Sequence, residues 1–167
     1  GLCAPLLKPI AKSLTGVDLS PKMLEKAHAL GLYDALFNAN VETFLSQRAA
    51  EFDLVVATDL FIYIGDLRDI FAGTSRALKP RGLFAFSVES LDGLPELAAS
   101  ERAHAGYVLQ PSPSCRYAHA TSYLSRLAGE HGFTVKRVEP ELLRMSHGHA
   151  VDGYCMVWEV EHGTSGP

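Results

Sequence analysis

Apolar and polar positions follow two recurring rhythms along this chain. Short apolar runs closed by an acid or a turn residue read as strands. Stretches with an apolar face every three or four residues read as helices. The predicted strands are Leu14 to Asp18, Ala35 to Asn38, Phe52 to Ala57, Leu83 to Val88, Thr134 to Glu139 and Tyr154 to Val160. Phe52-Asp53-Leu54-Val55-Val56-Ala57 is nearly continuous in apolar residues, as parallel strands are. Helices are predicted over Leu2 to Ala11, Pro21 to Leu30, Val41 to Arg48, Leu67 to Leu78 and Ser122 to His131. Pro9 should kink or end the first. Ser20 suits the cap of the second, Pro21 its first position, and Met23, Leu24, Ala27 and Leu30 its buried face. Alternating strands and helices predict a parallel sheet with crossover helices. Glu89 to Ala120, with Pro95, Pro111 and Pro113, breaks the rhythm and reads as an insertion over the active face. Glu139 to Tyr154 holds no crossover helix and joins the last two strands as a hairpin.

Bulk properties narrow the class. A chain of 167 residues predicts one domain, over residues 1–161, with a flexible tail at 162–167. The net charge of −4 argues against a duplex nucleic-acid binder. Cys3, Cys115 and Cys155 stand far apart and in no metal spacing, which fits a reduced cytoplasmic protein. No apolar run reaches the roughly 18 residues of a membrane span, so no membrane partner is expected. No oligomeric state is read from the sequence.

Four segments carry candidate chemistry. Thr15-Gly16-Val17-Asp18 is a short apolar strand ending in an acid, with a helix start at once behind it. An acid there can accept from the two vicinal hydroxyls of a ribose; it would equally suit the field of a helix N-terminus. Thr58 to Leu67 follows the central strand, and ligands of a doubly wound sheet bind outside the carboxyl ends of its strands. Asp59 and Tyr63 therefore fall at a site, while Phe61 and Ile62 are either an apolar wall or core. Arg116-Tyr117-Ala118-His119 could bind an acidic substrate and take a proton, or anchor a loop. His147 and His149 lack an acid or cysteine to complete a metal site, and no metal is expected.

Gly16-Val17-Asp18-Leu19-Ser20-Pro21-Lys22-Met23-Leu24 closely resembles the class I S-adenosylmethionine (SAM)-dependent methyltransferases. The Phe52 to Leu67 segment and the Leu78-Lys79-Pro80-Arg81-Gly82 turn are also similar to that family, which usually reads Leu-Lys-Pro-Gly-Gly there. The resemblance implies an α/β, Rossmann-like doubly wound, mostly parallel seven-stranded sheet with an antiparallel last strand. It implies SAM as cofactor and S-adenosylhomocysteine (SAH) as product. Gly1 resembles the last glycine of the family's Gly-x-Gly-x-Gly turn, and an intact first strand is expected upstream of it. The implied cofactor residues are Gly1, Asp18, Leu19, Met23, Asn40, Val41, Asp59, Leu60 and Tyr63. Asn40 stands where the family usually has an acid that accepts from the adenine amino group. Tyr63 and Arg116 are the candidate substrate residues, His119 or Asp59 the candidate base, and Tyr117 a positioning group. The Arg-Tyr-x-His element followed by Tyr123-Leu124-x-x-Leu127 narrows the likeness to predicted methyltransferases associated with tetratricopeptide repeats.

The implied function is methyl transfer to an unidentified small polar acceptor. A catalytically inactive SAM- or SAH-binding scaffold domain is the alternative. A nicotinamide-dependent oxidoreductase is a third reading, disfavoured by the Phe52 to Leu67 segment and the antiparallel last strand. Arg102, His104, Arg116, His119, Arg144, His147 and His149 hint at an anionic or polar small molecule as the partner.

Overall fold

Pro9 has no N–H to extend a helix, and α1 (Ala4–Leu7) is accordingly one turn rather than the longer helix expected. The structure, a computed structural model, describes residues 1–98, 105–146 and 148–161. Arg102, His104, His147 and the tail at 162–167 lie outside the described residues. The chain divides into two units, Gly1–Gln47 and Arg48–Pro167.

In the first unit, β1 (Thr15–Asp18) runs into α2 (Pro21–Ala29), then β2 (Ala35–Asn38) and α3 (Val41–Ser46). The Ser20 hydroxyl accepts from Met23 N–H at 3.4 Å and caps α2, with Pro21 behind it where its missing N–H is harmless. β1 and β2 pair in parallel from Thr15↔Ala35 to Asp18↔Asn38. That register sets the two carboxyl ends level, so Asp18 and Asn38 are direct neighbours.

In the second unit, β3 (Phe52–Ala57) leads through a 3-10 turn at Phe61–Tyr63 into α4 (Arg68–Ala77) and β4 (Leu78–Ser90). Then come α5 (Pro95–Ala98), β5 (Tyr107–Leu109), β6 (Tyr117–His119), α6 (Thr121–Glu130), β7 (Phe133–Ser146) and β8 (His149–Val160). The sheet runs β5-β6-β4-β8-β7, and β3 also pairs with β4. β3, β4 and β6 are mutually parallel pairs, whereas β8 is antiparallel to both its neighbours. The Rossmann-like α/β class and the antiparallel last strand are as expected, but the described strands form a two-stranded parallel sheet and a six-stranded mixed sheet rather than one mostly parallel seven-stranded sheet.

Two expectations are corrected. The stretch read as an insertion, 89–120, contributes β5 and β6 to the sheet. The connection between the last two predicted strands, Glu139 to Tyr154, is itself mostly strand, because β7 and β8 stay paired from Phe133↔Val160 to Ser146↔His149. Pro140 does not break that ladder because β7 is the edge strand. Arg81 takes the place of the family's usual glycine and adopts φ +64°, a left-handed conformation that β-carbon sterics disfavour.

The core of this unit is aromatic. Phe71 of α4 is fully buried against Phe84 and Trp158, each with a ring centroid at 5.4 Å, and against Phe86 at 5.6 Å. Phe61 and Phe133 close the cluster at 6.3 and 6.1 Å from Phe71. Among the described residues no helix is long and apolar enough to cross a membrane.

Candidate functional site

Asp18 closes β1 half-buried, and its Oδ1 accepts from Ser20 N–H at 2.8 Å. That bond fixes the carboxylate at the strand end, and among the described residues nothing is bonded to its Oδ2. Asn38 tightens the same turn by donating to the carbonyls of Asp18 and Leu19 at 3.0 and 2.9 Å. Leu19 and Met23 are exposed beside it, 68% and 43%, and Phe37 is 40% exposed. A ribose needs a fixed carboxylate, and a purine needs apolar surface. Both are present within this unit, so its residues fit an adenosine cofactor. Gly1 is exposed and Val41 half-buried, and neither position opposes that role.

Asn40 departs from its expected role. Its Oδ1 accepts from Glu42 N–H at 2.7 Å and Thr43 N–H at 3.3 Å, capping α3. Both lone pairs are engaged, so this oxygen is not available to an adenine amino group. The side-chain amide nitrogen remains as a donor.

In the second unit, Asp59 follows β3 with φ +55° and gives its N–H to the Ser87 hydroxyl at 3.1 Å. A non-glycine residue held left-handed just past a strand end is the kind of strain found at functional sites. Its carboxylate is 67% exposed and takes Nη1 of Arg144 at 2.8 Å. Arg144 reaches from β7 and also places Nη2 on Glu89, whose side chain is only 3% exposed at the end of β4. Gln110 donates to the other Glu89 oxygen. Glu89, Gln110 and Ser87 were not among the expected residues. The signal for Glu89 was present: an acid closing the apolar run Leu83 to Val88, the same cue that marks Asp18.

His119 takes a different place from the one expected. It is fully buried, and its Nε2–H donates to the Gly65 carbonyl at 3.0 Å. Burial pushes its pKa down to about 4, against the hydrogen bonding of the ring to the Gly65 and Ile64 backbone, which favours the protonated form. His119 is thus a neutral anchor for the segment after the 3-10 turn. Tyr117 and Tyr107 pack on Gly65 so tightly that a Cβ there would lie 2.6 Å from the Tyr117 ring. Tyr123 bonds the same segment, accepting from Leu67 N–H at 2.8 Å and donating to Asp66 at 3.2 Å. Burial pushes Tyr123 up to about 12, and the Arg68 guanidinium holds Asp66 down at about 2. Tyr63 is 68% exposed, Leu60 and Arg116 are half-buried. Among the described residues no group of three His, Cys, Asp or Glu could hold a metal ion.

The His119 environment carries a stability prediction. Its folded-state value lies below the usual 6.5, so the unfolded chain binds the proton first as pH falls. The contribution is full above about pH 6.5 and is lost toward pH 4, in total about 3 kcal/mol. Urea midpoints between pH 7 and pH 4.5 should fall in the native protein and fall much less in His119→Gln. Asp66 loses its own contribution only lower, as pH drops below its ordinary value toward about 2. Parallel curves for both proteins would remove His119 as the source.

The methyltransferase domain family model matches residues 1–86 of the 167. Malonyl-[acyl-carrier protein] O-methyltransferase of Enterobacter lignolyticus is 31% identical over 133 residues, 80% of this chain and 49% of that protein. The enzyme of the same name from Salmonella typhimurium is 33% identical over 101 residues, 58% of this chain and 40% of that protein. The chain thus spans about half the length, or less, of these curated relatives. A SAM-dependent methyltransferase from Methanosarcina mazei superposes with a TM-score of 0.69 at 19% identity, covering 90% of this chain and 82% of that one. The N-methyltransferase NodS from Bradyrhizobium japonicum, in complex with SAH, gives 0.65 at 16% identity over 93% and 70%. At such identities the likeness concerns the fold. With more than half of its length matched by the family and its fold shared with those structures, this chain belongs to the class I SAM-dependent methyltransferases.

Proposed function

We propose that the protein transfers a methyl group from SAM to a small polar acceptor. The Asp18 carboxylate supports this most. Its Oδ1 is fixed by Ser20 and its Oδ2 is left for the ribose hydroxyls. When bound, SAM supplies an electrophilic methyl group on a sulfonium. The chain has to bind it, align the acceptor and exclude water, and alignment alone can lower a barrier by roughly 7 to 11 kcal/mol. In this reading Leu19, Met23 and Val41 contact the adenosine, with Gly1, Asn40 and Leu60 as further contacts. Asp59 replaces His119 as the group that meets the acceptor's proton, because His119 is buried and bonded to Gly65. Tyr63, Tyr117 and Arg116 line the acceptor side. The Arg116 to His119 element keeps the likeness to repeat-associated methyltransferases as part of the proposal. The relatives' name adds a second form of acceptor, a carboxyl group carried on an acyl-carrier protein.

Calorimetric titration of SAH is the test. Binding is expected in the native protein, weakened at least about tenfold in Asp18→Ala, as loss of a charged hydrogen-bond acceptor implies. A folded protein that binds no SAH, or an Asp18→Ala variant that binds as well as the parent, would overturn the reading.

A further inference from the structure

We propose that Asp59, Arg144 and Glu89 select the acceptor by charge, favouring an amine over a carboxylate. The inference rests on the methyl-transfer reading above, adds the acceptor class and sets aside the carboxyl acceptor in the relatives' name. Two carboxylates share one guanidinium: Nη1 of Arg144 lies 2.8 Å from Asp59, and Nη2 lies on Glu89. The three groups together carry one net negative charge. Glu89 is 97% buried, counting from its 3% exposure, so water screens its charge weakly. Gln110 fixes its second oxygen. Gly153 stands opposite Glu89 on β8, and a Cβ there would run into the Val88 carbonyl and the Leu143 side chain. The absence of that carbon lets the β7–β8 hairpin lie close to β4, where Arg144 bridges to Glu89.

This arrangement treats two acceptors differently. Arg144 already pairs with two carboxylates, so an incoming carboxylate gains less from that cation than from an unpaired one. It also approaches a net negative cluster, which like-charge repulsion disfavours. For an amine, the nitrogen lone pair forms the new carbon–nitrogen bond. The carbon–sulfur bond breaks, and its electron pair returns to sulfur. The positive charge passes from sulfur to nitrogen, and a proton then leaves the product to the Asp59 carboxylate. A fixed net negative cluster stabilises charge that develops on that nitrogen. For a carboxylate the charges cancel into a neutral ester, and the cluster offers no such stabilisation. Glu89 acts here through the field and through Arg144, as a specificity-determining residue.

The experiment compares methyl transfer from SAM to propylamine and to propionate, with malonate as a second carboxylate, alongside SAH calorimetry. The native protein is expected to show kcat/KM for propylamine at least about tenfold above that for either carboxylate. Glu89→Gln removes one negative charge and should shrink that ratio about tenfold, with SAH affinity unchanged. If Glu89→Gln does not fold, Gln110→Glu adds one negative charge at a half-buried position beside Glu89 and should widen the ratio instead. Preference for a carboxylate, a ratio unmoved by the variant, or SAH binding with transfer to neither class would overturn the inference. Loss of SAH binding in the native protein would instead overturn the methyl-transfer reading, and this inference with it.

Discussion

Phe71→Ala is expected to destabilise the protein by about 3 to 5 kcal/mol, the range for a large aromatic removed from a closed core. Phe71 is fully buried and touches Phe61, Phe84, Phe86, Phe133 and Trp158, which come from three different strands and the 3-10 turn. The partners are fixed on four separate backbone elements. No single side chain can therefore swing into the space without leaving another gap. Most of the cavity should persist, and its lining loses both apolar burial and edge-to-face ring contacts. Urea titration at constant slope measures the loss. A value under about 1.5 kcal/mol would show that the cluster collapses around the missing ring.

Arg144→Met should be comparably severe, about 3 to 5 kcal/mol, for an electrostatic reason. The substitution keeps most of the stem but leaves Glu89 without a cation at 3% exposure. Gln110 still donates one hydrogen bond, which does not neutralise the charge. The double variant Arg144→Met with Glu89→Gln removes the stranded charge, so it should recover at least half of the loss. Equal stability of the single and double variants would mean that Glu89 is not the seat of the effect. Asp59, being 67% exposed, should contribute little to this difference, since water can solvate it once Arg144 is gone.

Local chemistry made part of this molecule legible in its sequence. Ala35 to Asn38 and Phe52 to Ala57 end where expected because a turn residue or a helix cap cuts each run short. α2 begins where Ser20 and Pro21 say it must. What the sequence did not reveal depends on pairing at a distance. β5 and β6 have three residues each, too few to carry a period, and exist because β4 offers Glu89 and Ser90 to Ala118 and His119. The extension of β7 past Pro140 depends on its lying at an edge, which no local pattern encodes. The same limit governs the site. Asp18 announced itself through its neighbours in sequence, whereas His119 looked like a base until its burial against Gly65 was visible. Arg144 looked like one of several loop cations, and its two carboxylate partners lie 85 and 55 residues away in the chain.

The strand order has a consequence for how the molecule is made. β8 lies between β4 and β7, so the last described strand fills an interior place in the second unit's sheet. Until residue 160 has left the ribosome, β4 has one open flank, and Phe71, Phe84 and Phe86 lack Trp158. At roughly 5 to 20 residues per second, the growing chain carries those exposed rings for several seconds after β4 is complete. Over that interval the nascent sheet offers a bare edge and an unfinished aromatic cluster, the surfaces that chaperones shield and that aggregation exploits.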